Sequence, residues 1–294
     1  MTARPRFSVV VASFRDLGSL AQCLDTLVPQ CNACGAELLV ARGPHEPPDA
    51  LRRVAAGCRV VGAPIEADIP RLRGIGLAAA NGDWVALAED NCVADASWLP
   101  ALIDASGPGA EVLGGSMGNA QRARATDCGA FFSEYGYFGA NRSEAPGAGP
   151  PLVTGANVAY ARSIVADVAD WATRGEWENV IHDRLHAAGH RFRLVPRARL
   201  RQNLHYGVAA FCRDRFEHGR NYSATRARGR PLWHRVMLAA PTPILPVLRA
   251  ARLALAADPE ERPHFGRALP ATITFLTAWS VGEAVGYFRA GASR

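Results

Sequence analysis

A chain of 294 residues, 49% of them hydrophobic, can build a full core, with room for one large α/β domain and a smaller appendage; this excludes global disorder. Its formal net charge of +6 comes from arginine alone, because the sequence has no lysine. Eleven arginines against only Asp214 and Glu217 fall between residues 191 and 230, so that tract should seek anionic surfaces. Seven scattered cysteines do not form the dense framework of a small disulfide scaffold, and Cys31-Asn-Ala-Cys34 lacks the second pair or nearby histidine of a zinc site.

In chain order, Met-Thr-Ala-Arg-Pro-Arg lacks the apolar stretch of a signal peptide and leads directly into an apolar β-branched run from Phe7 to Ala12. An amphipathic pattern through Leu17, Leu20, Cys23, Leu24 and Leu27 predicts a helix. Strands follow at residues 37–41 and 58–61, with a helix over 51–56 between them and another over 69–80 that Asn81-Gly82 stops. Trp84 to Ala88 reads as a strand buried on both faces. A helix over 96–105 with Asp95 as N-cap and a strand over 112–116 come next. Strands alternating with helices through the first hundred residues predict a mostly parallel sheet flanked by helices. Gly139 to Pro151 has loop composition, Val158 to Ala161 is a strand, Glu176 to Ala188 a helix closed by Gly189, and Phe192 to Val195 a last strand.

The strand 84–88 runs into Glu89-Asp90-Asn91. Oxygen ligands at the carboxyl end of such a strand suit Mg²⁺ or Mn²⁺, which shares its coordination between carboxylates and substrate phosphates. Arg71 and Arg73, just upstream, are the residue type that pairs with a diphosphate.

Ser8-Val-Val-Val-Ala-Ser-Phe14, Glu89-Asp-Asn91, Gly155-Ala-Asn157, and Trp177-Glu178 followed by Arg184-Leu185-His-Ala-Ala-Gly189 occur in an order that resembles the family 2 glycosyltransferases of the GT-A fold. The resemblance spans residues 6–205. It implies a nucleotide-diphosphate-sugar donor held around Ala12, Ser13 and Phe14, and a divalent metal at Glu89, Asp90 and Asn91. It further implies an acceptor-side loop containing Gly155 and Asn157, and Glu178 as the base that takes the acceptor proton in an inverting transfer. Several positions depart from the pattern. Arg15 stands where Asn is usual, Ala41-Arg42 where an acidic pair is usual, Asn91 at the last acidic position of the metal element, and Glu178 where Asp is usual, preceded by Trp177 where an acid is usual. His182, four residues after Glu178, is placed to hydrogen-bond that carboxylate.

Residues 206–294 change in texture. Val236 to Leu248 and Leu269 to Gly282 are uncharged stretches of 13 and 14 residues, too short to span a bilayer and suited either to lie in its interface or to pack as buried helices on the catalytic domain. With the arginine tract, they resemble the tails of membrane-associated members of the same family, whose acceptors are often lipid-linked. The expectation is a GT-A domain at 1–205 and a basic helical, membrane-associated region at 206–294, on the cytoplasmic face of the cell membrane. Nucleic acid is not an expected partner, since Phe211, Phe216 and Tyr222 are too few for a stacking surface. A dinucleotide oxidoreductase lacks its G-x-G-x-x-G, and a nucleotidyltransferase lacks its glycine-rich basic loop after the first strand. A sugar-nucleotide or nucleic-acid binding module without catalysis is the alternative.

Overall fold

The computed structural model describes residues 5–142 and 151–289, and the chain forms two compact units: Met1–Ala120 with Phe138–Asn203, and Gln121–Tyr137 with Leu204–Arg294. Most of the loop expected at 139–151 lies outside the described residues.

The first unit contains, in order, β1 (Phe7–Ser13), α1 (Leu17–Cys34), β2 (Glu37–Arg42), α2 (Pro48–Val54), β3 (Arg59–Gly62), α3 (Ile69–Ala79), β4 (Trp84–Glu89), β5 (Cys92–Ala94), α4 (Trp98–Ala105) and β6 (Val112–Asn119). After the excursion to the second unit come β7 (Val158–Ala161), α6 (Arg162–Thr173), α7 (Glu178–Ala187) and β8 (Phe192–Gln202). These strands form one sheet in the order β3-β2-β1-β4-β7-β6-β8-β5. The first four are parallel, while β7 runs against β4 and β6, and β5 runs against β8. Every residue of β1 and β4 is buried, which is why both read as unbroken apolar runs. Val10, Leu39, Leu87 and Val158 of the sheet pack with Leu77 of α3, Val165 and Val168 of α6, and Leu185 of α7. Each such side chain contributes about 1.5–3 kcal/mol when removed from water. The pairing Ala12↔Glu89 and Ser13↔Arg42 brings Ser13, Arg42 and Glu89 to one level at the carboxyl ends of the parallel strands.

Several boundaries differ from the sequence expectation for identifiable reasons. Helix α1 continues through Pro29 to Cys34 and closes on Gly35, whose φ of 62° is the left-handed conformation a glycine C-cap supplies. Asp95 does not cap α4; Ser97 holds that place, and the Asp95 carboxylate instead accepts from Arg201 at 2.6 and 3.0 Å. Strand β8 does not end at Val195. It passes Pro196 by a register shift opposite Gly115/Ser116, and the Ser116 hydroxyl donates to the freed Pro196 carbonyl at 2.7 Å. Cys31 is buried and its thiol is pushed up to about 12 by that burial, so the Cys-x-x-Cys pair has no reactive thiolate there.

The second unit is helical: α5 (Ala125–Tyr135), α8 (Val208–Ala227), α9 (Leu232–Ala239), α10 (Leu245–Ala256) and α11 (Arg262–Arg289). The stretch 269–282 lies inside α11, where Thr272, Phe275, Leu276, Ser280 and Gly282 are buried, so one side of that segment is core rather than surface. Two of the unit's arginines are paired with its own acids. Arg215 bonds Glu134 at 3.2 Å under the Trp279 ring, and Arg249 reaches buried Glu283 at 3.1 Å. No helix of the described residues is long and apolar enough to cross a membrane.

Helices α8 and α11 approach so closely that a Cβ on Gly282 would stand 2.1 Å from the Phe216 carbonyl oxygen. Gly282→Leu is therefore expected to destabilise the chain by at least the ~1–3 kcal/mol of an overpacked core, read as a lower urea midpoint; an unchanged midpoint would mean that the helices separate freely.

Candidate active site

Arg73 is the centre of the site in the first unit. It projects from α3, where Asp68 caps the helix by accepting from the Arg71 N–H at 3.1 Å. The Arg73 guanidinium donates to Glu89 at the end of β4 at 2.5 Å and to Glu178 in the first turn of α7 at 2.8 Å. Burial alone would pull Arg73 down, but Glu178 and Glu89 hold it protonated, above its ordinary value. Burial likewise pushes Glu178 up, and the adjacent Arg73 more than reverses this, leaving the carboxylate below its usual range. Glu178 keeps 26% of its side chain exposed, and Arg73 only 8%, so the pair is open on the glutamate side. Pro70, Arg73, Gly155, Tyr160, Glu176 and Glu178 line a cleft at this point.

Gly155 is required by the same ion pair. A Cβ there would fall 2.3 Å from the Arg73 Nη1 and 3.0 Å from the Glu178 carboxyl carbon. His182 lies on the buried side of α7, and its hydrogen bond goes to Tyr160 rather than to Glu178: the Tyr160 hydroxyl and the His182 Nε2 are 2.8 Å apart. Burial lowers His182 to about 4, so the ring is neutral at pH 7. With its other nitrogen bonded to the Val153 carbonyl, Nε2 is left to accept from Tyr160.

The second half of the site is Asp90. Its Oδ2 accepts at 2.8 Å from the Ser13 hydroxyl and from the backbone N–H groups of Phe14 and Arg15, which fixes the loop after β1. Arg42 is buried at the end of β2, donates to the Ser13 hydroxyl at 2.6 Å, approaches Asp90 at 3.6 Å and pairs with Glu46. Despite these partners, burial pushes the Asp90 carboxyl up to about 6, and its Oδ1 is buried with no hydrogen-bond partner.

Ala12, Ser13, Phe14, Arg73, Gly155, Glu89, Asp90, Asn91 and Glu178 thus collect around the ends of β1 and β4. Arg71 and Asn157 do not join them. Arg71 points the other way on α3 and pairs with Asp68 at 3.1 Å on the surface. Asn157 is fully buried, accepts from the Trp98 indole at 2.9 Å and donates to the carbonyls of Ser116 and Ala198 at 2.8 and 2.9 Å, so its polar atoms tie β7 to β6 and β8. Arg42 is the site residue that sequence reasoning missed as a contributor; its signal was an arginine directly after the apolar run Leu38–Ala41 of β2.

Among the described residues, no three His, Cys, Asp or Glu side chains converge into a self-contained cation site. Glu89, Asp90 and Asn91 supply two carboxylates and an amide, with Asp90 Oδ1 unpartnered and the Asn91 Oδ1 3.1 Å from the Cys92 Sγ. That donor set fits an ion that completes its coordination with substrate phosphates, not one caged by protein alone.

No protein-family model and no curated protein matches this chain. Among solved structures, a mannosyltransferase from Pyrobaculum calidifontis in complex with GDP-Man and Mn²⁺ superposes with a TM-score of 0.55 at 17% identity, covering 96% of this chain and 88% of that one. A glucosyl-3-phosphoglycerate synthase from Mycobacterium tuberculosis, in complex with Mn²⁺, UDP and phosphoglyceric acid, matches at 17% identity over 69% of this chain and 72% of that one, with a TM-score of 0.46 too low to carry weight. With the strand order and the mixed sheet described above, the mannosyltransferase match establishes that this chain has the GT-A fold.

Proposed function

We propose that this protein is an inverting glycosyltransferase that moves a sugar from a nucleotide-diphosphate sugar to an acceptor hydroxyl. The observation that carries the reading is the Glu89–Arg73–Glu178 bridge, which joins the end of β4 to a partly exposed carboxylate in a cleft, on the fold of a known mannosyltransferase. The acceptor hydroxyl gives its proton to Glu178 as its oxygen attacks the anomeric carbon. The bond to the leaving nucleotide diphosphate breaks with its electron pair on the departing oxygen, so the new glycosidic bond has the opposite configuration.

Arg73 orients Glu178 and keeps it ionised at neutral pH. Ser13, Phe14 and the Asp90 carboxylate shape the loop against which the donor lies, and buried Arg42 fixes that loop from β2. Glu89, Asp90 and Asn91 would hold a divalent ion through Asp90 Oδ1 and neighbouring oxygens. When bound, it supplies positive charge to the departing diphosphate.

A second reading has one observation in its favour. Arg73 engages both Glu89 and Glu178 in ion pairs, so both carboxylates already have a partner within the chain, as they would in a sugar-nucleotide binding module. Slow donor hydrolysis separates the two. Purified protein screened against UDP-, GDP- and dTDP-sugars with Mn²⁺ is expected to hydrolyse one donor class, and binding without any hydrolysis would favour the module.

With that donor in hand, three outcomes are expected. Excess EDTA and Asp90→Ala should each abolish hydrolysis, while full turnover in EDTA would remove the metal. Glu178→Gln should keep donor affinity and lower acceptor-dependent kcat by ~10²–10⁴-fold, the usual contribution of a positioned base; loss of donor binding at unchanged kcat would make Glu178 a binding residue. Arg73→Lys keeps one positive charge but cannot bridge two carboxylates. It should let the Glu178 pKa rise, so the acid limb of the kcat–pH profile moves to higher pH, and an unmoved limb would mean that Arg73 does not govern the base.

A further inference from the structure

Helices α9 and α10 of the second unit each turn an apolar stripe to solvent. On α9, Leu232, Trp233, Val236 and Met237 recur at helical spacing on one side, with Trp233 63% and Met237 64% exposed. On α10 the stripe is Ile244, Val247, Leu248 and Leu255, the last 83% exposed, while Pro246, Ala250 and Leu253 fill the opposite, buried side. Helix α10 therefore has two apolar faces and covers only one of them. The turn between the helices carries Pro241 and Pro243, so the two stripes belong to one short stretch of chain.

The charge around this stretch has a single sign. From His218 to Ala257 the sequence has seven arginines and no aspartate or glutamate. Arg228, Arg230 and Arg252 are exposed, and the Arg230 and Arg235 guanidiniums donate to backbone carbonyls, those of Arg226 and Arg230, rather than to carboxylates. Of the others, Arg249 is neutralised by Glu283 from α11 and Arg220 by Glu217, and Arg226 donates to the Tyr222 and Tyr287 hydroxyls. Elsewhere in the unit Arg215 is matched by Glu134 and Arg122 by Glu260 and Glu261. Apolar stripes including a tryptophan, edged by unneutralised guanidiniums, complement a surface that is anionic at its face and hydrocarbon just beneath.

We infer that α9 and α10 form a docking surface for an anionic lipid bilayer, lying in its interface with Trp233, Met237, Val247 and Leu255 inserted among the acyl chains. The helices have 8 and 12 residues, too few to span a bilayer but enough to lie along it. The surface is separate from the residues assigned to sugar transfer, so its test stands whether or not that assignment does.

The test is flotation of the full chain with phosphatidylcholine vesicles and with vesicles containing roughly 30% phosphatidylserine, at low and high salt. Binding is expected on the anionic vesicles only and should weaken with salt. Trp233→Ser with Met237→Ser, exposed positions that leave the core intact, should lower it at least tenfold at an unchanged melting temperature. Arg228→Gln and Arg230→Gln should each cost about fivefold on anionic vesicles. Equal recovery in the supernatant with both vesicle types would overturn the inference. A concentration-dependent dimer that the Trp233/Met237 variant dissolves would overturn it as well, by giving the face to a second copy of the chain.

Discussion

A guanidinium buried between two carboxylates organises the first unit. Arg73 is almost fully removed from water, which would cost several kcal/mol for an unpaired charge, and it is tolerable only because Glu89 and Glu178 both reach it. Each partner comes from a different element, so β4, α3 and α7 must arrive together for the charges to be satisfied. Gly155 follows from the same constraint, since any side chain there would occupy the space of the ion pair. The cleft beside Glu178 is what remains open once these groups are packed.

Asp90 presents a different electrostatic situation. Three donors converge on one of its oxygens while the other is buried without a partner, and burial outweighs the hydrogen bonds in setting its proton affinity. Such a carboxylate gains from a nearby positive charge, and Arg42 approaches it at 3.6 Å. Arg42, held by Glu46, braces the loop after β1 through Ser13.

The helical unit solves its charge problem by segregation. Arg215, Arg249 and Arg122 are paired with Glu134, Glu283 and Glu261 in its interior or at its margin, whereas the arginines flanking α9 and α10 meet no acid in their own stretch of chain. The close crossing of α8 and α11 is made by Gly219, Gly282 and Gly286, where a side chain would meet the facing helix.

The sheet was legible in the sequence because strands buried on both faces must be apolar throughout, and β1 and β4 are. The cluster Glu89-Asp90-Asn91 was equally legible, since carboxylates ending such a strand have few other reasons to be there. Helices α5 and α6 were not, because no breaker separates α6 from β7 and the aromatic run of α5 reads equally well as core. Nor could spacing say that Arg73 turns inward while Arg71, two residues earlier, turns outward to Asp68, or that His182 bonds Tyr160 instead of Glu178. The split of the two uncharged C-terminal stretches, one largely interior to α11 and the other divided between α9 and α10 with an exposed face, was likewise hidden. Local pattern fixes which residues are apolar or charged and with what period. Which of two faces is covered, and which partner a buried charge meets, depends on residues distant in the chain, and only tertiary packing brings those together.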